Sequence, residues 1–169
     1  MDRPLPRVLV VVAGRQGATR EIADALARDM GAAGIDARVE DAGDAPGPEA
    51  YDAVVIASAV DYGRWPAAAR RYAARHAAVL TSLPVWLLSA EPLGAERDEE
   101  PPGVAAVRLM TGAREHLVVG GRLESDPLGA TGRLVARVAG GAGADGPGGA
   151  PVSILAAGIA GALTGAVAR

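Results

Sequence analysis

The run VLVVVA at residues 8–13 constrains the fold more than any other stretch of this chain. Six apolar residues follow one another with no polar alternation, and four of them are Val. A strand with one wet face would alternate; a strand that reads continuously apolar must be covered above and below. Two further runs, DAVVIAS at 52–58 and PVWLLS at 84–89, read the same way, and EHLVVGGRL at 115–123 reads as another strand. A shorter, half-alternating strand is expected at 35–40. Between them lie helical patterns. In 19–30, Ile22, Leu26 and Met30 recur four apart, while Arg20, Glu21, Asp24 and Arg28 take other faces, giving an amphipathic helix. Residues 65–80 read as a helix with Pro66 in its first turn, 104–112 as a short helix, and 128–139 as another helix. The segment 41–50 is loop, and AEPLGAERDEEPPG at 90–103 is expected to be a long acidic loop. Strands alternating with helices imply an α/β protein with a parallel sheet covered on both faces.

Composition narrows the function classes. The chain has 169 residues, the usual size of one domain, and half of them are hydrophobic. All 17 basic residues are Arg; Phe, Cys, Lys and Asn are absent, so the core is built from Val, Leu, Ile and Ala. A net charge of −3 with dispersed Arg residues argues against a nucleic-acid partner. Without Cys there is no disulfide, thiolate metal site or catalytic thiol, and without Lys there is no P-loop. GRQGATR has Gly-x-x-Gly spacing, not the Gly-x-Gly-x-x-Gly of a nicotinamide site. Ser58, Ser82 and Ser89 lack the context of a nucleophile elbow. His76 and His116 form no metal pattern, and both are expected to face solvent. The start, MDRPLPR followed by a short apolar run, lacks a signal-peptide core, so a cytoplasmic location is expected.

The motifs VLVVVAGRQGATREIADALA, YDAVVIASAVDYGRW, PVWLLSAEPLG and AREHLVVGGRLESDPLG, in this order, resemble the flavodoxin superfamily. They look most like the bacterial flavodoxin-domain proteins related to the menaquinone-dependent protoporphyrinogen oxidase. The resemblance covers about residues 7–139. It implies a flavodoxin-like three-layer sandwich with a five-stranded parallel sheet in the order 2-1-3-4-5. It also implies flavin mononucleotide (FMN) at the switch point between strands 1 and 3. The implied function is an FMN-binding oxidoreductase or electron-transfer protein, with a redox partner or quinone to exchange electrons. No residue need act as acid or base, because the cofactor carries the chemistry. The alternative is a degenerate domain that has lost FMN and serves as a binding module.

Three loops would form the cofactor site. The first, Gly14, Arg15, Gln16, Gly17, Ala18 and Thr19, would cradle the phosphate. The second, Ala59, Val60, Asp61, Tyr62 and Gly63 on to Trp65, and the third, Ser89, Ala90, Glu91, Pro92, Leu93 and Gly94, would border the flavin ring. Close approach of backbone N–H groups at a helix N-terminus is what a phosphate requires. The family pattern resembles Ser-x-x-Gly-Ser-Thr, and Gly14 and Ala18 replace its two serines. Each missing hydroxyl removes a hydrogen bond worth ~1.5–3 kcal/mol. Arg15 or Arg20 offsets part of this loss if its guanidinium reaches the phosphate. Tyr62 and Trp65 are the aromatics able to stack on a ring, with core packing the alternative for each. Asp61 and Glu91 also depart from the family pattern.

The tail does not match the resemblance. Residues 140–151 read as a Gly-rich linker and 152–169 as an apolar helix, with Val152, Leu155, Ile159, Leu163 and Val167 along one stripe. The helix is expected to cover the sheet of the same domain. The other readings are membrane contact and a homodimer contact through the small face of Ala157, Gly158, Gly161 and Gly165. Spanning is marginal, since the large aliphatics contribute only about −2 to −4 kcal/mol on the insertion scale.

Overall fold

The computed structural model describes residues 4–14, 17–92, 100–123, 134–137 and 149–165. Its strands are β1 (Arg7–Ala13), β2 (Asp36–Asp41), β3 (Ala53–Ala59), β4 (Val85–Pro92), β5 (Glu115–Leu123) and β6 (Leu134–Arg137). Its helices are α1 (Gly17–Ala32), α2 (Ala67–Arg75), α3 (Ala77–Leu80), α4 (Val104–Thr111) and α5 (Gly149–Gly165). The sheet order is β2-β1-β3-β4-β5-β6. The first five strands pair in parallel, in the order 2-1-3-4-5 of the flavodoxin-like fold.

The apolar runs became the sheet's centre. Every residue of β3, and every residue of β1 after Arg7, is buried. β2 lies at the edge and is only partly covered, which is why its sequence half-alternates. One face of the sheet, with Val8, Val10 and Val12, packs on Ile22, Leu26 and Met30 of α1 and on α5. The other face, with Leu9, Val11, Val54 and Ile56, packs on Tyr72, Leu80, Val104 and Val107 of α2, α3 and α4. Helix, sheet and helix make the three layers.

Three expectations change. The helix over 128–139 is not formed where the chain is described: Leu134–Arg137 is a strand, antiparallel to β5 from Gly120↔Arg137 to Leu123↔Leu134. A four-residue apolar run does not separate helix from strand by period, and the outer edge of β5 offers backbone groups that need partners. The helix over 65–80 is two helices, broken at His76, with Pro66 as the cap before α2. The loop expected from Ala90 does not begin there, because β4 continues through Pro92 and pairs there with Gly121; residues 93–99 lie outside the described residues.

α5 begins at Gly149, so it includes residues 149–151. Its Val152, Leu155, Ile159 and Leu163 are buried beside α1, and Ser153 Oγ donates to Asp29 Oδ2 at 2.8 Å. Val167 lies outside the described residues. Among the described residues no helix is long and apolar enough to cross a membrane.

Candidate functional site

β1 leads across α1 to β2 on one side, while β3 pairs with its other side. The chain therefore parts at the carboxyl ends of β1 and β3, opening a crevice of the kind in which doubly wound sheets hold ligands. Gly14 and α1 line one side of it. Gly14 has φ +149°, and a Cβ placed there would lie 2.8 Å from Ala59 Cβ and 3.7 Å from Thr19 Oγ1. The first loop thus passes directly against the start of the second. Only glycine fits, which accounts for the absence of serine at 14 better than loss of function does.

Helix α1 starts at Gly17 with no acidic residue in its first turn. Its first N–H groups lack intrahelical acceptors, and the helix dipole is positive here. Among the described residues, its chain neighbours aside, nothing stands within 4 Å of where a Cβ on Gly17 would be. Ala18 is half-buried and Thr19 buried. Arg15 and Gln16 lie outside the described residues. Arg20 is not the free cation that the sequence allowed. Its Nε bonds Asp24 Oδ1 at 3.3 Å, Nη1 meets Asp41 Oδ1 at 3.5 Å, and Nη2 donates to the Val39 carbonyl at 3.4 Å. It stitches α1 to β2.

The second loop is a tight hairpin. Asp61 N–H donates to the Arg64 carbonyl and Arg64 N–H to the Asp61 carbonyl, both at 2.9 Å. The two residues between, Tyr62 (φ +47°) and Gly63 (φ +78°), both have positive φ, as a type I′ turn demands. A bulky residue in that region is strained by ~1–3 kcal/mol. Tyr62 is fully exposed at the turn. Trp65 is buried core; of the two aromatics, only Tyr62 presents its ring to solvent. Ala59 and Val60 are buried, and Val60 N–H donates to the Ala90 carbonyl at 3.0 Å.

The third region is less of a loop than the sequence suggested. Ser89, Ala90, Glu91 and Pro92 belong to β4; Ser89, Ala90 and Glu91 are buried, and Leu93 and Gly94 lie outside the described residues. Continued pairing with β5 through Pro92 extends the strand.

His116 does not face solvent as expected. Its side chain is 6% exposed, and it belongs to a polar chain that sequence reasoning missed. Trp65 Nε1 donates to Ser89 Oγ at 2.8 Å, Ser89 Oγ lies 2.7 Å from His116 Nε2, and His116 Nδ1 lies 3.2 Å from Glu100 Oε1. Glu100 also pairs with Arg108 on α4. Burial lowers the His116 pKa below its usual 6.5; Glu100 pulls it up and Arg108 pushes it further down. The sole sequence signal was Ser89, a hydroxyl inside an apolar strand. The serine–histidine–carboxylate row is not a hydrolytic site: Ser89 has no exposed surface, and its oxygen already accepts the indole N–H. His76 stands half-buried, its ring 4.7 Å from that of Tyr72. Among the described residues no cluster could hold a metal ion.

A doubly wound sheet whose first five strands run parallel in the order 2-1-3-4-5 defines the flavodoxin-like class of α/β domain. The flavodoxin domain family matches residues 9–139, and the chain belongs to that family. It is 32% identical over 98 residues to the protoporphyrinogen IX dehydrogenase [quinone] of Escherichia coli strain K12, which covers 57% of this chain. The aligned part is 54% of that relative, so the chain spans about half the length of the curated relatives it matches. Among solved structures, the rubredoxin oxygen:oxidoreductase of Desulfovibrio gigas superposes with a TM-score of 0.68 at 11% identity, covering 98% of this chain and 38% of that one. Megasphaera elsdenii flavodoxin does so with a TM-score of 0.57 at 16% identity, covering 71% and 90%.

Proposed function

We propose that this flavodoxin-domain protein binds FMN at the switch point and passes electrons between a donor and an acceptor, with a quinone as the acceptor class. The observation that carries the reading is the close approach of Gly14 to Ala59 beside the N-terminus of α1. The turn leaves room for no side chain at 14, the first helical turn holds no carboxylate, and among the described residues nothing crowds Gly17, a donor set that fits a phosphate. The amides of Gly17, Ala18 and Thr19 would hold the phosphate, and Tyr62 would lie against the ring. When bound, FMN supplies the redox chemistry. The chain's part is to bind it and tune its charge. Asp61, exposed beside Tyr62, disfavours a negative charge on the ring by like-charge repulsion. The quinone assignment is supported by the name of the Escherichia coli relative.

A visible spectrum of the purified protein tests this. Flavin absorbance bands, or their appearance with a bound stoichiometry on adding FMN, are the expected result. A colourless protein that takes up no added FMN would establish the other reading, a flavin-free interaction module. That second reading is favoured by Ala18 in place of a hydroxyl and by the carboxylate of Glu91 buried in β4. Ala18→Ser is expected to tighten FMN binding about tenfold or more, the worth of one hydrogen bond to a charged group.

A further inference from the structure

The polar chain from Trp65 to Glu100 has a direction. An indole N–H can only donate, so Ser89 Oγ accepts from Trp65. Glu100 offers His116 Nδ1 a carboxylate, which only accepts, at 3.2 Å, so the ring proton resides on Nδ1. A neutral ring then leaves Nε2 unprotonated, 2.7 Å from the Ser89 hydroxyl, whose proton can point at it. Each group has one role, and the roles agree along four residues drawn from four parts of the chain. His116 comes from β5, Ser89 from β4, Glu100 from the segment entering α4, and Trp65 from the end of the Asp61–Arg64 hairpin.

The backbone repeats the same connection. Trp65 N–H donates to the Pro102 carbonyl at 3.4 Å, two residues beyond Glu100. A Cβ on Gly103 would lie 3.6 Å from Trp65 Cβ, so the segment entering α4 runs against the indole's base. The Trp65 and His116 rings meet edge to face, their centroids 6.3 Å apart.

We infer that His116 is a positioning residue: in its neutral Nδ1–H form it bridges Ser89 and Glu100 and so fixes Trp65, and with it the hairpin that presents Tyr62. Its described partners are Ser89, Glu100 and the edge of the Trp65 ring, and it acts through Ser89. A simple buried imidazole would fill the same volume. It would not need one tautomer, and it would not be matched by a hydroxyl on one nitrogen and a carboxylate on the other. The value of the hairpin as a wall of the flavin ring rests on the function proposed above; the hydrogen-bond chain does not.

The test is NMR on the full chain with 15N-labelled histidine near pH 7.5, without FMN. His116 is expected to show a protonated Nδ1 and an unprotonated, hydrogen-bonded Nε2. The opposite tautomer, or the averaged shifts of a free imidazole, would overturn the inference. The second measurement is hydrogen exchange at the Trp65 indole N–H in His116→Leu and His116→Gln. Leu is expected to speed exchange several-fold, up to roughly tenfold, the worth of one neutral hydrogen bond, and Gln, whose amide oxygen can still accept from Ser89, to restore part of the protection. Protection equal to wild type in the Leu variant would overturn the inference; if that variant does not fold, the wild-type tautomer decides. Where wild type binds FMN, the Leu variant is expected to bind it several-fold more weakly and Gln to recover affinity. If wild type binds none, the functional proposal fails, while the tautomer and the exchange still decide the role of His116.

Discussion

Replacing Gly14 by Ala puts one methyl group where the structure has no room. The residue sits at φ +149°, a region essentially restricted to glycine, and forcing Ala into it costs ~1–3 kcal/mol. The new Cβ would also stand 2.8 Å from Ala59 Cβ, where neighbouring atoms must move. Ala59 is buried at the end of β3 and is poorly placed to yield. Overpacking of this kind adds ~1–3 kcal/mol. The total, about 2–6 kcal/mol, is a large share of the stability of a single domain. Urea unfolding followed by Trp fluorescence measures it. With a slope of about 2 kcal/mol per molar, the midpoint should fall by roughly 1–3 M. The chain can escape part of that cost by moving the first loop away from Ala59, and FMN affinity should then drop as the amides of Gly17 and Ala18 lose their placement. An unchanged midpoint together with unchanged FMN affinity would refute the close approach of the two loops and the steric requirement for glycine at 14.

Tyr62→Gly should relieve the positive-φ strain and raise stability by ~1 kcal/mol or somewhat more, while weakening FMN binding; thermal unfolding and a flavin titration read the two effects separately. The folded-state pKa of His116 is lowered, so below pH 6.5 the unfolded chain takes up the proton more readily than the folded one. Its neutral form stabilises the fold fully above pH 6.5, and that contribution is lost as the pH falls through the window beneath. Denaturation midpoints from pH 8 to 5 should show a decline in wild type that is shallower in His116→Gln. Ile159→Ala removes a fully buried side chain between α5 and the sheet and should cost ~2–5 kcal/mol in chemical denaturation, whereas Ala157→Ser on the outward face should cost almost nothing.

Much of this architecture was legible in the residues because burial on both faces leaves a plain mark. The runs at 8–13 and 52–58 are continuous because β1 and β3 lie inside the sheet. Ile22, Leu26 and Met30 marked the inner face of α1, and Val152, Leu155, Ile159 and Leu163 that of α5. The strand at 134–137 was not legible, since four residues carry too little periodicity and its pairing depends on the edge of β5. Site details set by distant residues were equally hidden. Gly14 read as a lost hydroxyl, because its conflict with Ala59 lies 45 positions away. Arg20 read as a spare cation, because Asp41 and the Val39 carbonyl meet it only once β2 lies beside α1. His116 read as an exposed strand residue, because its partners Ser89 and Glu100 come from other elements.

FMN binding at this site depends on its phosphate being held at the N-terminus of α1 beside Gly14. Parallel titrations of the flavin-free protein with FMN and with riboflavin, followed by flavin fluorescence, isolate the phosphate's contribution. The two ligands share the ring and differ by the phosphate. FMN is expected to bind with one site per chain and riboflavin at least about tenfold more weakly, the worth of one charge-assisted hydrogen bond to the helix amides. Equal affinities for the two ligands, or no binding of either, would rule out a phosphate held at this helix end.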